Sequence, residues 1–365
     1  MSSRIDEITG LRCFAVTMVV LTHAQHTAAN GYTGWLSLLK ILANGNQGIL
    51  LFFVLSGFLI TGLLQREFAS SGRIDFLAFY RRRTLRIWPA SYFYILVLIV
   101  MTMAGFMRID WREFLAAAAH IWNYGALLHI APIEGSQGGW YFGHFWTLAL
   151  EEQFYWIWPP ILIYLLRKHN DRLLMALIVA IPLVRILFYF AAPAQRGQLT
   201  MMLHTGLDPM LIGGLMALRQ RQLADALTGF RYRHALLTLA VILFVGVTPA
   251  IGSILKGAWN VTYGQTIDAL LAAVIILGIV HVKDFWLSRL CRQRIPVFIG
   301  TISYSLYLWQ QLFLNHDFAY AMAFPFNIVQ AFAAACVSCF FIERPFLRMK
   351  DRQRAGAVPA PSSAG

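Results

Sequence analysis

Apolar windows of about 20 residues, the length a helix needs to cross a hydrocarbon core roughly 30 Å thick, recur ten times along this chain. They fall at 8–28, 47–66, 87–107, 145–166, 173–192, 204–219, 236–255, 265–282, 297–319 and 324–344. The window at 204–219 is short and carries Gly213-Gly214. Polar positions gather between the windows, and the basic ones alternate. With the N-terminus inside, the inner segments hold 24 of the 30 Lys and Arg, the outer ones hold Lys40, Arg108, Arg112, Arg196 and Lys256, and Arg185 lies inside a span. Basic residues accumulate on the cytoplasmic side of membrane proteins, so the pattern predicts an all-α membrane protein of about ten transmembrane helices with both termini cytoplasmic. One span more or fewer would scramble the asymmetry.

The first residues, Met-Ser-Ser-Arg-Ile-Asp-Glu, offer no small-residue cleavage site, and 8–28 reads as a retained span. The longest connection, 108–144, holds a candidate partial span or surface helix near 112–131. Its aromatic residues Trp111, Trp122, Tyr124, Trp140, Tyr141 and Phe142 suit either an interfacial belt or a platform for a sugar ring. The chain thus divides into a transmembrane domain over 1–350 and a basic Pro-, Ala- and Ser-rich tail over 351–365, expected to be disordered.

Composition agrees. The chain is 58% hydrophobic and 13% charged, against about 25% charged in soluble domains. A formal net charge of +13 invites a nucleic-acid reading. That reading fails, because the basic residues are dispersed between apolar runs and form no single surface. Cys13, Cys291, Cys336 and Cys339 show neither disulfide nor zinc spacing and read as packing residues.

The candidate chemistry begins in the first span. Arg12 and His23 are eleven residues apart, which returns to nearly the same helix face about 16 Å further along. An ionisable group inside a membrane helix costs roughly 2.5–3.5 kcal/mol and usually marks a working site. The fourth window, running the other way, carries Glu151 and Glu152 six or seven residues from its outer end, at the depth expected for His23. A carboxylate beside an imidazole fixes its tautomer and suits a general base. The blander reading makes His23 a core histidine and lets the acids satisfy a buried Arg or Trp. In the second window, Ser56 and Gly57 permit close approach of either a helix or a ligand. Arg81-Arg82-Arg83-Thr84-Leu85-Arg86 stands at the mouth of the third window. It reads as a topological anchor, but Arg83 and Arg86 share one face, and guanidinium groups bind phosphates bidentately. With Arg12 at the same level, three arginines would suit a polyanionic cytosolic ligand.

These residues resemble the acyltransferase-3 family of integral-membrane O-acyltransferases. The matching parts are Arg12-x10-His23, Phe52-Phe53-x-x-Ser56-Gly57, Arg83-x-x-Arg86 with Ile87-Trp88-Pro89, and Phe145-Trp146 followed by Glu151-Glu152-Gln153-Phe154-Tyr155. Ile302 to Trp309 and Glu343-Arg344-Pro345 complete the set, in family order and over nearly the whole chain. The resemblance implies a ten-helix core that takes an acyl group, usually acetyl, from cytoplasmic acyl-CoA and delivers it to a hydroxyl of an envelope or secreted acceptor. It implies that Arg12, His23, Arg83 and Arg86 are functional. Two positions depart from the family pattern: Gln310 stands where His is frequent, and Cys13 where Gly is frequent.

The resulting expectation is a multi-pass protein of the cell (inner or plasma) membrane. Arg12, Arg83 and Arg86 hold acyl-CoA, probed most simply as acetyl-CoA, as a donor substrate with no tightly bound cofactor. His23 is the base, Glu151 or Glu152 orients it, and Ser56 steadies the oxyanion; an acyl-histidine route is the kinetic alternative. The acceptor is a glycan or glycosylated molecule. A polytopic exporter is the competing class, although paired Gly- or Pro-broken helices in matching halves are not evident. A metal enzyme using His120, His129, His144, His204 and His316 finds no ligand spacing in the sequence.

Overall fold

The computed structural model describes residues 6–349, apart from 30, 169, 316 and 319. His316 and the tail at 351–365 lie outside the described residues. Among those residues there is no β-strand, only an isolated bridge between Ala29 and Gly31. Every apolar window lands on helix: α1 (Asp6–Ala24), α2 (Gly45–Ser71), α3 (Phe76–Met103), α4 (Phe145–Lys168), α5 (Arg172–Ala191), α6 (Asp208–Leu218), α7 (Arg233–Leu255), α8 (Gly257–His281), α9 (Ser303–Phe313) and α10 (Phe326–Met349).

Seven of these, α1, α2, α3, α5, α7, α8 and α10, are long and apolar enough to cross a bilayer. The polar run Glu151-Glu152-Gln153 and Pro159-Pro160 dilute α4, and α6 has only 11 residues. A break at Ile302 separates α9 from the preceding helix Arg294–Thr301. Large apolar side chains stand exposed on the bundle exterior, among them Val179 (61%), Phe190 (68%) and Phe341 (73%). Water penalises such a surface and lipid does not. The protein is a multi-pass membrane protein.

Three boundaries differ from the sequence reading. The third helix begins at Phe76, eleven residues before the predicted window, because Asp75 caps it by accepting a hydrogen bond from the Ala78 amide at 2.9 Å. Arg83 and Arg86 are therefore inside α3 and not at its mouth. The ninth helix stops at Phe313, short of the predicted 319. The region near 112–131 is no partial span: it forms the helix Trp111–Ala118, capped by Asp110, and a turn at Trp122–Tyr124. Arg112 holds the exposed Asp110 carboxyl below its ordinary range through a side-chain hydrogen bond.

Small residues let the backbones meet. A Cβ added at Gly57 would run into the Met210 carbonyl, and one at Gly213 into the Val54 carbonyl, so α2 and α6 pack main chain to main chain. The ambiguity over Ser56-Gly57 is thereby divided, with Gly57 serving packing. Arg185 is one of the charged residues with no solvent exposure. It is fully buried on α5 and paired with Asp208 of α6 (Nη1 to Oδ1, 2.6 Å), while also donating to the Thr205 carbonyl at 2.6 Å and to Thr266 Oγ1 at 2.7 Å. Removing one member of such a pair strands the other charge. Arg185→Ala is expected to destabilise the protein by about 3–5 kcal/mol, read as a lower melting temperature in detergent. The double change Arg185→Met with Asp208→Leu should recover most of the loss.

Candidate active site

Four helices converge at one level of the bundle. From α1 comes Arg12, from α2 Ser56, from α3 Arg83 and Arg86, and from α4 Glu151 and Tyr155; all line one cavity of about 110 Å³. The arginine run is partitioned by helix geometry. Arg82 pairs with Glu67 at 3.1 Å and Arg81 is exposed, whereas Arg83 and Arg86, three residues apart, share the inward face. Arg12 lies over the Phe52 ring at 5.9 Å, and Arg83 over Phe79 at 5.9 Å and Tyr155 at 5.6 Å. None of the three guanidinium groups makes an ion pair within 4.0 Å among the described residues, and Arg83 Nε is buried without a hydrogen-bond partner there.

The two glutamates part company. Glu151 accepts from the Ser56 hydroxyl at 2.7 Å and from Tyr155 OH at 3.4 Å, within electrostatic reach of Arg12 and Arg86. Glu152, one residue and 100° further round α4, faces a lateral pocket lined by Tyr80, Arg83, Trp88 and Trp156, and its Oε1 is sealed without a partner among the described residues. Neither is the hydrogen-bond partner of His23. Its Nδ1 meets Oε1 of Gln310 at 3.1 Å, and Trp140 packs edge-on at 5.7 Å between ring centres. The sequence reading matched depths by counting from both helix ends as though they began in one plane. They do not: the segment before α4 folds over its start, so that His144 and Phe145 are 3% and 1% exposed, and Glu151 is carried down to the arginine level.

His23 lines a second cavity, bounded by Gln47, Trp146, Gln265 and Asp268 among others. The two cavities have Ile49 and Phe53 in common as lining residues, and Phe53 abuts Trp146 at 5.8 Å between ring centres. Behind the imidazole, α9 supplies a polar wall. Gln310 meets His23, Gln311 meets His144, and Tyr307 OH stands 2.7 Å from Thr147 Oγ1. Burial drives His144 below the usual imidazole range, so it stays neutral.

Several side chains escaped the sequence reading. Gln310 is uncharged and was legible only as a departure from a motif. Glu343, which begins the Glu-Arg-Pro run, is hydrogen-bonded to Ser305 and electrostatically near Arg12 and Arg86. Asp268, a lone acid in an apolar window, carried the same signal that marked Arg12. The aromatic stretch is mostly core: Trp122, Tyr141 and Phe142 are buried, Trp111 is exposed, and Trp140 alone abuts His23. Among the described residues no cluster of three or more His, Cys, Asp or Glu is arranged to hold a metal ion. His120 stacks on Trp88, His204 meets Tyr124 OH at 3.1 Å, and the four cysteines are free thiols. Arg185, tied to Asp208, is spent on structure.

Comparison with known proteins adds the lineage. The chain is 26% identical to O-acetyltransferase OatA of Staphylococcus aureus strain MRSA252, over 98% of this chain and 59% of that protein. It is likewise 26% identical to the same-named protein of strain NCTC 8325, over 96% of this chain and 58% of that one. The chain therefore spans under three-fifths of the length of these relatives. No solved structure matches it. Residues 5–343 match the family described as Acyltransferase domain, and with nearly its whole length inside that match the chain belongs to the acyltransferase-3 family.

Proposed function

We propose that this chain is a membrane O-acetyltransferase whose ten helices, with both termini cytoplasmic, place a donor site at the Arg12 level and an acceptor site at the His23 level. The donor is cytoplasmic acyl-CoA, probed most simply as acetyl-CoA, and the acceptor is a hydroxyl of a carbohydrate or glycosylated molecule at the outer side of a cell (inner or plasma) membrane. The observation that carries this reading is the pair of adjoining cavities, one bearing three guanidinium groups without ion-pair partners among the described residues, the other an imidazole hydrogen-bonded to Gln310.

Phosphates of the donor would meet Arg12, Arg83 and Arg86 through charge-assisted hydrogen bonds. Glu151, held by Ser56 and Tyr155, offsets part of the repulsion between Arg12 and Arg86. The rise of about 16 Å from Arg12 to His23 is comparable to the reach of a pantetheine arm, which brings the thioester toward Ile49 and Phe53. An amide oxygen only accepts, so Gln310 Oε1 puts the proton of His23 on Nδ1 and the lone pair on Nε2. That nitrogen removes the proton of the acceptor hydroxyl as its oxygen attacks the thioester carbonyl. The C–S bond then breaks, and the sulfur takes the proton back from the imidazolium, giving an ester and free CoA. Ser56 is assigned to the donor side.

Gln310→Leu should lower turnover roughly fivefold, the worth of one hydrogen bond of about 1 kcal/mol, with the KM for acetyl-CoA unmoved. The deciding experiment for the function is transfer of labelled acetyl from acetyl-CoA by the purified protein in proteoliposomes without an ion gradient. Transfer or thioester hydrolysis supports the reading; gradient-dependent solute movement without either would establish an exporter instead.

A further inference from the structure

Two glutamines on the wall of the His23 cavity are each held by a buried carboxylate. Gln47 of α2 and Gln265 of α8 are 4% and 6% exposed, and both line that cavity. The Gln47 amide nitrogen donates to Asp268 Oδ2 at 3.0 Å. The Gln265 amide nitrogen donates to Asp208 Oδ1 at 3.0 Å and to the Gly206 carbonyl at 3.2 Å. An ionised carboxylate only accepts, so neither amide can be turned over without losing its bond. Both amide oxygens are consequently directed away from the carboxylates. Neither is among the sealed polar atoms that lack a partner, which leaves them open to the cavity.

One of the two carboxylates is itself clamped: Asp208 pairs with the buried Arg185. Asp268 is 6% exposed, its Oδ2 takes the Gln47 bond, and its Oδ1 is sealed without a hydrogen-bond partner among the described residues. Burying these carboxylates costs free energy, and holding two amides in one orientation is a return that packing alone does not require. The imidazole of the same cavity meets Gln310 through its Nδ1. Two amide oxygens and this imidazole thus face one space that also offers the apolar surfaces of Phe53 and Trp146.

We propose that Gln47 and Gln265 are acceptor-positioning residues, whose fixed amide oxygens take hydrogen bonds from two hydroxyls of a polyhydroxylated acceptor while His23 faces a third. This rests on the function proposed above. A site built to hydrogen-bond hydroxyls rejects analogues that lack them far more strongly than an apolar pocket rejects a change of size, so these two residues set which hydroxyl is presented and which acceptors are refused.

The test uses the full chain in proteoliposomes, labelled acetyl-CoA, and a panel of p-nitrophenyl hexopyranosides with their monodeoxy analogues. Binding of the same glycosides is measured separately by calorimetry without CoA. Gln47→Leu and Gln265→Leu are each expected to raise the KM for the best glycoside at least tenfold and to erase discrimination against one deoxy analogue, with the KM for acetyl-CoA within twofold. Asp268→Asn is isosteric and lets the Gln47 amide turn over; it should reproduce the loss of discrimination in a protein of unchanged melting temperature. Transfer or binding that discriminates deoxy analogues equally well in all variants would overturn the inference alone. Hydroxyl-dependent, Gln47-dependent binding with no acetyl transfer by any protein would support it and sink the enzymatic reading instead.

Discussion

His23→Ala is expected to abolish acyl transfer to any acceptor, while the protein should still insert, purify and bind acetyl-CoA with an affinity within twofold of the parent. A positioned general base contributes typically 10²–10⁴-fold, and among the described residues no second imidazole lines that cavity. The neighbouring His144 is buried, and its Nδ1 meets Gln311. Folding should survive, because His23 is partly exposed to its cavity and makes one side-chain hydrogen bond, to Gln310. The measurement is steady-state transfer of labelled acetyl together with equilibrium binding of acetyl-CoA. Retained transfer in His23→Ala would remove the imidazole from the chemistry and leave the upper cavity a binding pocket only.

Arg83→Ala combined with Arg86→Ala is expected to raise the KM for acetyl-CoA on the order of 100-fold, with a much smaller change in kcat at saturation. Hydrogen bonds to charged groups are worth about 1.5–3 kcal/mol each, so the loss of two guanidinium contacts reaches that scale even after partial compensation by Arg12. The same double change should leave the KM for the acceptor alone. Dephospho-CoA derivatives sharpen the result: if the arginines hold phosphates, the parent protein discriminates against acetyl-dephospho-CoA and the double variant does so less. An unchanged donor requirement would reduce both residues to topological anchors. Arg82, paired with Glu67 on another face of the same helix, is the natural control, and Arg82→Ala should not reproduce the effect.

The helices were legible because a bilayer imposes a length. A run of about 20 apolar residues has few alternatives, and each predicted window fell on helix. Depth within the bundle was harder. Hydropathy marks where a helix can begin, but not that residues 122–144 would fold over the start of α4 and bury Phe145, which shifted Glu151 from the imidazole to the arginines. Neutral polar groups were also invisible. Gln47, Gln265 and Gln310 carry no charge to flag them, and each gains meaning only from the residue placed behind it by the fold: Asp268, Asp208 and His23. Arg12, Arg83 and Arg86 were readable because a cation in apolar surroundings is costly and because helical periodicity put two of them on one face. Their separation from Arg82 required the position of Glu67.

The seam at Ile49 and Phe53, shared by the two cavities, has a bearing on the membrane itself. Two polar chambers inside one bundle would short-circuit the permeability barrier if they merged into a water-filled passage. One isoleucine and one phenylalanine line both cavities where they adjoin, with Trp146 bearing against the phenylalanine ring. Under the function proposed here, the cell need export neither the bulky nucleotide carrier nor an activated sugar. Only a two-carbon fragment changes sides, handed across a greasy seam, and the electrochemical gradient on which the rest of the envelope depends is left intact.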